Sequence, residues 1–134
     1  MAKILIATDS DAVAADVDAA LGGAGSHIIR LRTGREVREA VLDHEPDLVI
    51  LDLQIGSMGG MAACLDLRLE ESADRVPAQY VLLLLDRDAD VFLARRSGAD
   101  GWLIKPADPV RLVMATQALL AGETFEESAR TAIG

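Results

Sequence analysis

Short apolar segments alternate with amphipathic segments five times along the chain. The apolar segments are three to five residues long and rich in Ile, Val and Leu, which favours buried β-strands. The segments between them place apolar residues three or four positions apart, which is typical of helices packed on a sheet. This alternation indicates repeated βαβ units. We predict strands that contain residues 4–7, 28–31, 48–51, 81–85 and 102–104.

The order of the elements predicts an α/β fold with a mostly parallel sheet, because a right-handed crossover places each helix on a face and returns the next strand alongside. The third apolar segment is apolar at every position, so it should be a central strand covered on both faces. Arg30 interrupts the second segment, as expected of an edge strand. We expect one domain over residues 1–122, followed by a polar C-terminal tail at 123–134.

Composition and charge limit the classes of function. The 134 residues suit one domain, and the net charge of −9 disfavours binding to nucleic acid, since the phosphate backbone is itself anionic. A charged leader and a membrane-spanning apolar segment are both missing from the pattern, so we expect a cytoplasmic protein that does not bind membranes. The single cysteine, Cys64, lies in an apolar helical pattern and is predicted to pack in the core.

Charged residues follow several predicted strands at their carboxyl ends, where parallel sheets place their functional sites. Asp9 follows the first strand, Asp52 ends the third, and Lys105 follows the fifth. Two carboxylates and a backbone carbonyl would form an oxygen site suited to Mg²⁺, with a lysine as the balancing charge. An ionised Asp52 could act as a nucleophile toward a phosphoryl group without a general base.

Two segments that carry these residues resemble the receiver domain of two-component response regulators. Residues 46–53 are similar to the phosphoacceptor strand of that family, and residues 98–106 are similar to its last strand and lysine. The resemblance implies a flavodoxin-like, doubly wound (βα)5 fold with five parallel strands in the order 2-1-3-4-5. It also implies that a sensor histidine kinase or a small phosphodonor phosphorylates Asp52. By the same resemblance, Mg²⁺ binds Asp9, Asp52 and the carbonyl of Gln54, Lys105 contacts the phosphoryl group, and the Lys105–Pro106 peptide is cis.

Four positions depart from the family pattern. Thr8 stands where receivers usually have a first acidic residue, so the predicted affinity for Mg²⁺ is weak. Leu85 takes the place of a Thr or Ser that hydrogen-bonds the phosphoryl group, and the neighbouring Asp86 would repel that group unless Arg87 offsets its charge. Trp102 occupies the position of the aromatic switch residue, where Tyr or Phe is commoner.

These features support a single-domain receiver in phosphorelay signal transduction, not an enzyme. The family resemblance suggests that the receiver transmits its phosphorylation state to a downstream protein through helix 4, strand 5 and helix 5. Homodimerisation is left open. An alternative is a pseudo-receiver, a phosphorylation-independent interaction module of the same fold, which Thr8, Leu85 and Asp86 favour. A weaker hypothesis interprets Asp9-Ser10-Asp11 as the DxD motif of a haloacid-dehalogenase-like phosphatase, although the chain is short for such enzymes.

Overall fold

A computed structural model describes residues 2–23, 25–56 and 58–127 of the protein. Strands and helices alternate along the chain, as their hydrophobic pattern predicts. The strands are β1 (Ala2–Ala7), β2 (Ser26–Leu31), β3 (Leu48–Asp52), β4 (Val81–Leu85), β5 (Gly101–Ile104) and β6 (Phe125–Glu126). The helices are α1 (Asp11–Leu21), α2 (Val37–His44), α3 (Gly60–Ser72), α4 (Val91–Ser97) and α5 (Pro109–Leu120), and short 3-10 turns precede α2 and α4.

All six strands form one parallel sheet in the order β2-β1-β3-β4-β5-β6. The expected order of the first five strands is therefore confirmed, with β2 at one edge and β3 in the interior. Every residue of β3 and β4 is buried, which explains why both segments are apolar almost throughout. This parallel arrangement brings the carboxyl ends of β1, β3, β4 and β5 to one edge of the molecule.

The two faces of the sheet are covered by separate helix layers. Alternate residues of β3 point to opposite faces, so that Val49 and Leu51 pack with α2, α3 and α4, whereas Leu48 and Ile50 pack with α1 and α5. Cys64 lies in the first of these layers and is fully buried, in agreement with its predicted place in the core. The two layers hold β3 and its terminal aspartate between them.

Local signals set where the helices begin and end. The Ser10 side chain accepts a hydrogen bond of 3.2 Å from the Val13 amide, so Ser10 caps α1. Asp108 caps α5 in the same way, and Pro109 occupies the first helical position, where the missing N–H has no cost. Gly98 ends α4 with a positive φ of 83°, a conformation that glycine adopts without strain.

The sixth strand corrects the expectation of a five-stranded sheet. Phe125 and Glu126 pair in parallel with Gly101 and Trp102, which extends the sheet beyond β5. The segment predicted as a polar tail thus begins with ordered residues, and the rest of that tail, 128–134, lies outside the described residues. Within the described part of the chain, every helix is too short or too polar to cross a membrane.

Candidate functional site

Asp52 and Lys105 meet at the carboxyl end of the sheet. Asp52 is the last residue of β3, and its side chain is only 2% exposed. Lys105 directly follows β5, and its Nζ lies 2.6 Å from Asp52 Oδ1. The Thr8 hydroxyl, which follows β1, donates a hydrogen bond of 2.7 Å to Asp52 Oδ2. The Asp52 carboxylate is therefore held by a cation on one oxygen and by a hydroxyl on the other.

The loop after β3 completes the surroundings of Asp52. The Gln54 amide donates to Asp52 Oδ1 over 3.2 Å, and the Gly56 amide donates to Asp9 Oδ2 over 2.9 Å. Asp9 is exposed, and this bond fastens it to the segment that follows the central strand. A Cβ on Gly60 would lie 2.4 Å from the Asp52 carbonyl oxygen, so α3 can begin this close to β3 only with glycine.

The oxygen atoms around Asp52 are of the kind that binds a hard cation. Receiver domains generally bind Mg²⁺ at this position, and Asp9, Asp52 and the Gln54 carbonyl are the oxygen groups that would hold it here. Thr8 brings a hydroxyl in place of a carboxylate, and it already donates that hydroxyl to Asp52. Among residues 2–23, 25–56 and 58–127, no three His, Cys, Asp or Glu side chains gather as a metal-binding group. The residues present therefore fit a Mg²⁺ site in which two carboxylates would bind the ion.

Asp86 also contacts Lys105. It is the first residue after β4, and its Oδ1 lies 2.8 Å from Lys105 Nζ. Leu85, the last residue of β4, is fully buried in the core layer that contains Trp102. Leu84 is the partner of Asp52 in the pairing of β3 with β4, so Asp86 lies two positions beyond that pair along the chain. The residue that reaches the lysine is therefore Asp86, while Leu85 belongs to the core.

Lys105 is partly buried between two carboxylates. Burial by itself lowers the pKa of the lysine, but the hydrogen bonds to Asp52 and Asp86 outweigh this effect and raise the pKa above its ordinary value. The ammonium group is consequently charged throughout the physiological pH range. Lys105 precedes Pro106 across a cis peptide bond, as the family resemblance implied.

Two residues considered in the sequence do not join this cluster. Arg87 makes its ion pair with Asp90, at 3.0 Å, so the expected offset of the Asp86 charge comes from Lys105 instead. Asp11 pairs with Arg30 at 2.8 Å, and hydrogen bonds from Arg30 and Arg32 lower its pKa. The arginines thus hold Asp11 while the Gly56 amide holds Asp9, an arrangement that gives no support to a DxD phosphatase centre.

Trp102 is tied to the segment that follows β6. The side chain is buried, and its Nε1 donates a hydrogen bond of 2.9 Å to the Glu127 carbonyl. Glu127 Oε1 accepts from the Ile104 amide over 2.8 Å, and Arg111 Nε donates to Glu127 Oε2 over 2.7 Å. No sequence motif indicates these contacts, because Glu127 stands in a short polar stretch without periodicity.

A doubly wound parallel sheet with a buried aspartate, a neighbouring lysine and an exposed second aspartate at one edge is the architecture of a receiver module. The family model described as response regulator receiver domain matches residues 4–117. The chain therefore belongs to the response regulator receiver domain family, whose members are signalling modules of two-component systems.

Curated relatives and solved structures agree with this assignment. The DNA-binding response regulator MtrA of Mycolicibacterium smegmatis is 33% identical over 98% of this chain and 56% of its own length. Protein PilH of Pseudomonas aeruginosa is 27% identical over 91% of this chain and 100% of its own length. The chain thus spans about half the length of the MtrA relatives but the whole of PilH.

Two solved structures show the same fold. The signal receiver domain of a signal transduction histidine kinase from Syntrophus aciditrophicus has a TM-score of 0.78 and 30% identity, over 91% of this chain and 92% of that one. Chemotaxis response regulator CheY4 of Vibrio cholerae has a TM-score of 0.74 and 26% identity, over 87% of this chain and 97% of that one.

Proposed function

We propose that this protein is a receiver in phosphorelay signalling and that Asp52 accepts the phosphoryl group. The observation that carries the proposal is the 2.6 Å contact between Lys105 Nζ and Asp52 Oδ1 at the carboxyl edge of the sheet. A carboxylate provides the nucleophile, and an ammonium group beside it offsets negative charge on the transferred oxygens. The donor would be a sensor histidine kinase or a small phosphodonor, since receiver domains interact with such partners.

The transfer requires no proton from Asp52. A carboxylate oxygen attacks phosphorus, the bond from phosphorus to the leaving group of the donor breaks, and the leaving group departs with the electron pair. Asp52 Oδ1 already accepts from Lys105 and Gln54, whereas Oδ2 accepts only from Thr8 among the described residues. Oδ2 therefore keeps more lone-pair capacity for the new bond. Mg²⁺, when bound, would supply positive charge to the phosphoryl oxygens.

Incubation with acetyl phosphate and Mg²⁺, followed by intact mass measurement, tests this proposal. We expect one phosphoryl adduct on the wild-type protein and none on Asp52→Asn, because an amide cannot form the acyl phosphate. An adduct of equal yield on both proteins would place the acceptor elsewhere, and no adduct on either would overturn the proposal.

We further propose that the affinity for Mg²⁺ is weak and that Thr8 is the cause. Thr8 supplies a hydroxyl where another carboxylate would strengthen the binding of a hard cation. We expect Thr8→Asp to bind Mg²⁺ on the order of tenfold more tightly, since one added charge close to the ion contributes about that factor. Isothermal titration calorimetry of both proteins with MgCl₂ measures the difference.

The same variant should show a characteristic response in stability. The new carboxylate would lie beside Asp52, whose Oδ2 is 2.7 Å from the Thr8 hydroxyl, so like-charge repulsion lowers the melting temperature without metal. Added Mg²⁺ should restore it by mass action. Thr124→Asp adds a charge at an exposed position near β6 and serves as the matched control. Equal responses of the two variants to Mg²⁺ would contradict the role given to Thr8.

One set of contacts favours the alternative of a phosphorylation-independent pseudo-receiver. Lys105 and Thr8 already donate to both Asp52 oxygens, Asp86 occupies a second donor of Lys105, and Leu85 offers no hydroxyl. The acetyl phosphate experiment distinguishes a pseudo-receiver from a phosphorylated receiver, because a pseudo-receiver forms no phosphoryl adduct with acetyl phosphate and Mg²⁺.

For a downstream protein partner we propose the face formed by α4, β5 and α5. Phe92 on α4 and Val110 and Met114 on α5 are large apolar side chains that are more than half exposed. β6 covers the edge of β5 at Gly101 and Trp102, so the partner would meet mainly the two helices. The proposal also allows a second copy of the chain to bind this face as a homodimer. The net charge of −9 argues against direct contact of this chain with nucleic acid.

A further inference from the structure

Lys105 is shared between two carboxylates. Its Nζ lies 2.6 Å from Asp52 Oδ1 and 2.8 Å from Asp86 Oδ1. An ammonium group has three donors, so two of them are engaged by aspartates before any phosphoryl group arrives. The group that Lys105 would contact in a phosphorylated receiver is itself an anion with several acceptor oxygens. Asp86 therefore holds a donor that such an anion would use.

The backbone keeps Asp86 in this position. Its amide and the amide of Arg87 both donate to Asp90 Oδ2, at 3.2 and 3.0 Å. Asp90 is buried and also pairs with the Arg87 side chain, so this arginine is directed to Asp90. Among the described residues, Asp86 makes one ion pair, and its partner is Lys105. The loop after β4 thus presents a carboxylate to the lysine.

We propose that Asp86 acts as an internal competitor for Lys105 and makes Asp52 a slow phosphoacceptor. This inference rests on the proposed function, and it assigns to Asp86 control over the rate of phosphorylation. Asp52, Asp86 and Lys105 together carry one net negative charge, whereas Asp52 and Lys105 alone would carry none. An anionic donor must approach against that charge and must also displace Asp86 from the lysine.

The Asp86 side chain is able to give way. It is 32% exposed, and its backbone bonds to Asp90 do not depend on its own carboxylate. Rotation of the carboxylate into solvent would free Lys105 without disturbing β4 or the turn before α4. The protein can therefore exist with Lys105 held by Asp86 or with Lys105 turned toward a phosphoryl group, and Asp86 favours the first state.

Initial rates of phosphorylation test this role. The full chain is incubated with acetyl phosphate and Mg²⁺, and the adduct is followed by intact mass in wild type, Asp86→Asn and Asp86→Thr. In each, an Asp52 oxygen forms the bond to phosphorus and acetate leaves with the electrons of the broken bond. We expect both variants to react on the order of tenfold faster, because removal of one adjacent charge changes the barrier by about that factor.

Asp88→Asn is the matched control. Asp88 lies two positions further along the same turn, is exposed, and loses the same charge on substitution. A solvent-exposed charge away from the lysine is screened by salt. The phosphorylation rate of Asp88→Asn should therefore stay within roughly twofold of wild type. An equal acceleration in Asp88→Asn and Asp86→Asn would overturn the proposal, since net charge would then explain the effect.

The remaining outcomes separate the inference from the function on which it rests. A wild-type adduct on Asp52 with an unchanged or slower rate in both Asp86 variants would overturn the inference and leave the receiver function intact. An adduct on the Asp86 variants but none on wild type would support the inference and refute phosphorylation of the native protein. The absence of an Asp52-dependent adduct in all proteins would overturn both.

Discussion

Glu127→Ala is expected to destabilise the protein by about 2 kcal/mol, although Glu127 lies outside the candidate site around Asp52. Its side chain is only 6% exposed. It accepts a hydrogen bond from the Ile104 amide and ion-pairs with Arg111. Alanine would leave the Ile104 amide without its acceptor beside β5. Arg111 would keep its bonds to the Ile104 and Pro106 carbonyls, which limits the loss.

Urea unfolding measures this effect with a probe that is already in place. Trp102 is the single tryptophan of the chain, and it donates to the Glu127 carbonyl, so its fluorescence reports both unfolding and release of the segment. Glu126→Ala is the matched control, because Glu126 is exposed and should change stability by less than about 0.5 kcal/mol. Equal unfolding midpoints for the two variants would show that the Glu127 side chain contributes nothing to stability.

The sequence predicts β1, β3, β4 and β5 because most of their residues are buried, which leaves a clear apolar pattern. Leu48, Val49, Ile50 and Leu51 are all buried, since helices cover both faces of β3, and an uninterrupted apolar segment follows from that geometry. Arg30 marks β2 as an edge strand for the converse reason. Strand order itself came from the family resemblance, because crossover rules alone leave several orders open.

β6 could not be predicted by the same reasoning. It has only two residues, Phe125 and Glu126, and a two-residue strand shows no alternation. Its position depends on contacts that are distant in sequence, namely the pairing with β5 and the bonds of Glu127 to Trp102 and Ile104. Nothing in a polar segment of this length distinguishes such anchoring from a solvated tail.

At the candidate site, the sequence indicated which residues gather at the edge but not how they pair. Asp52 and Lys105 follow strands that a parallel sheet brings together, so their proximity was predictable. The partner of Asp86 depends on side-chain direction within a loop, and there Lys105, not Arg87, proved to be the counter-charge. The Thr8 hydroxyl, at a position where the family usually has an acidic residue, donates directly to Asp52.

Lys105→Met is expected to have the largest effect on stability, about 3 kcal/mol of lost unfolding free energy. Asp52 is buried, and Lys105 is the cation beside it, so methionine would leave a carboxylate charge in a site with little solvent. The Thr8 hydroxyl and the Gln54 amide would still donate to Asp52, but neither carries a formal charge. Chemical denaturation at neutral pH, monitored through Trp102, measures the loss.

A double-mutant cycle with Asp52→Asn identifies the origin of this loss. If the penalty arises from the unpaired charge, Lys105→Met should cost about 1 kcal/mol or less in the Asp52→Asn background, because the amide needs no counter-charge. Lys3→Met is the control, since Lys3 is the other lysine of the chain and, among the described residues, its Nζ donates only to the His44 carbonyl at the far end of the sheet. It should cost about 1 kcal/mol in both backgrounds. A penalty for Lys105→Met that persists unchanged with Asp52→Asn would mean that Lys105 stabilises the fold through packing of its aliphatic stem, and the electrostatic account of this site would be wrong.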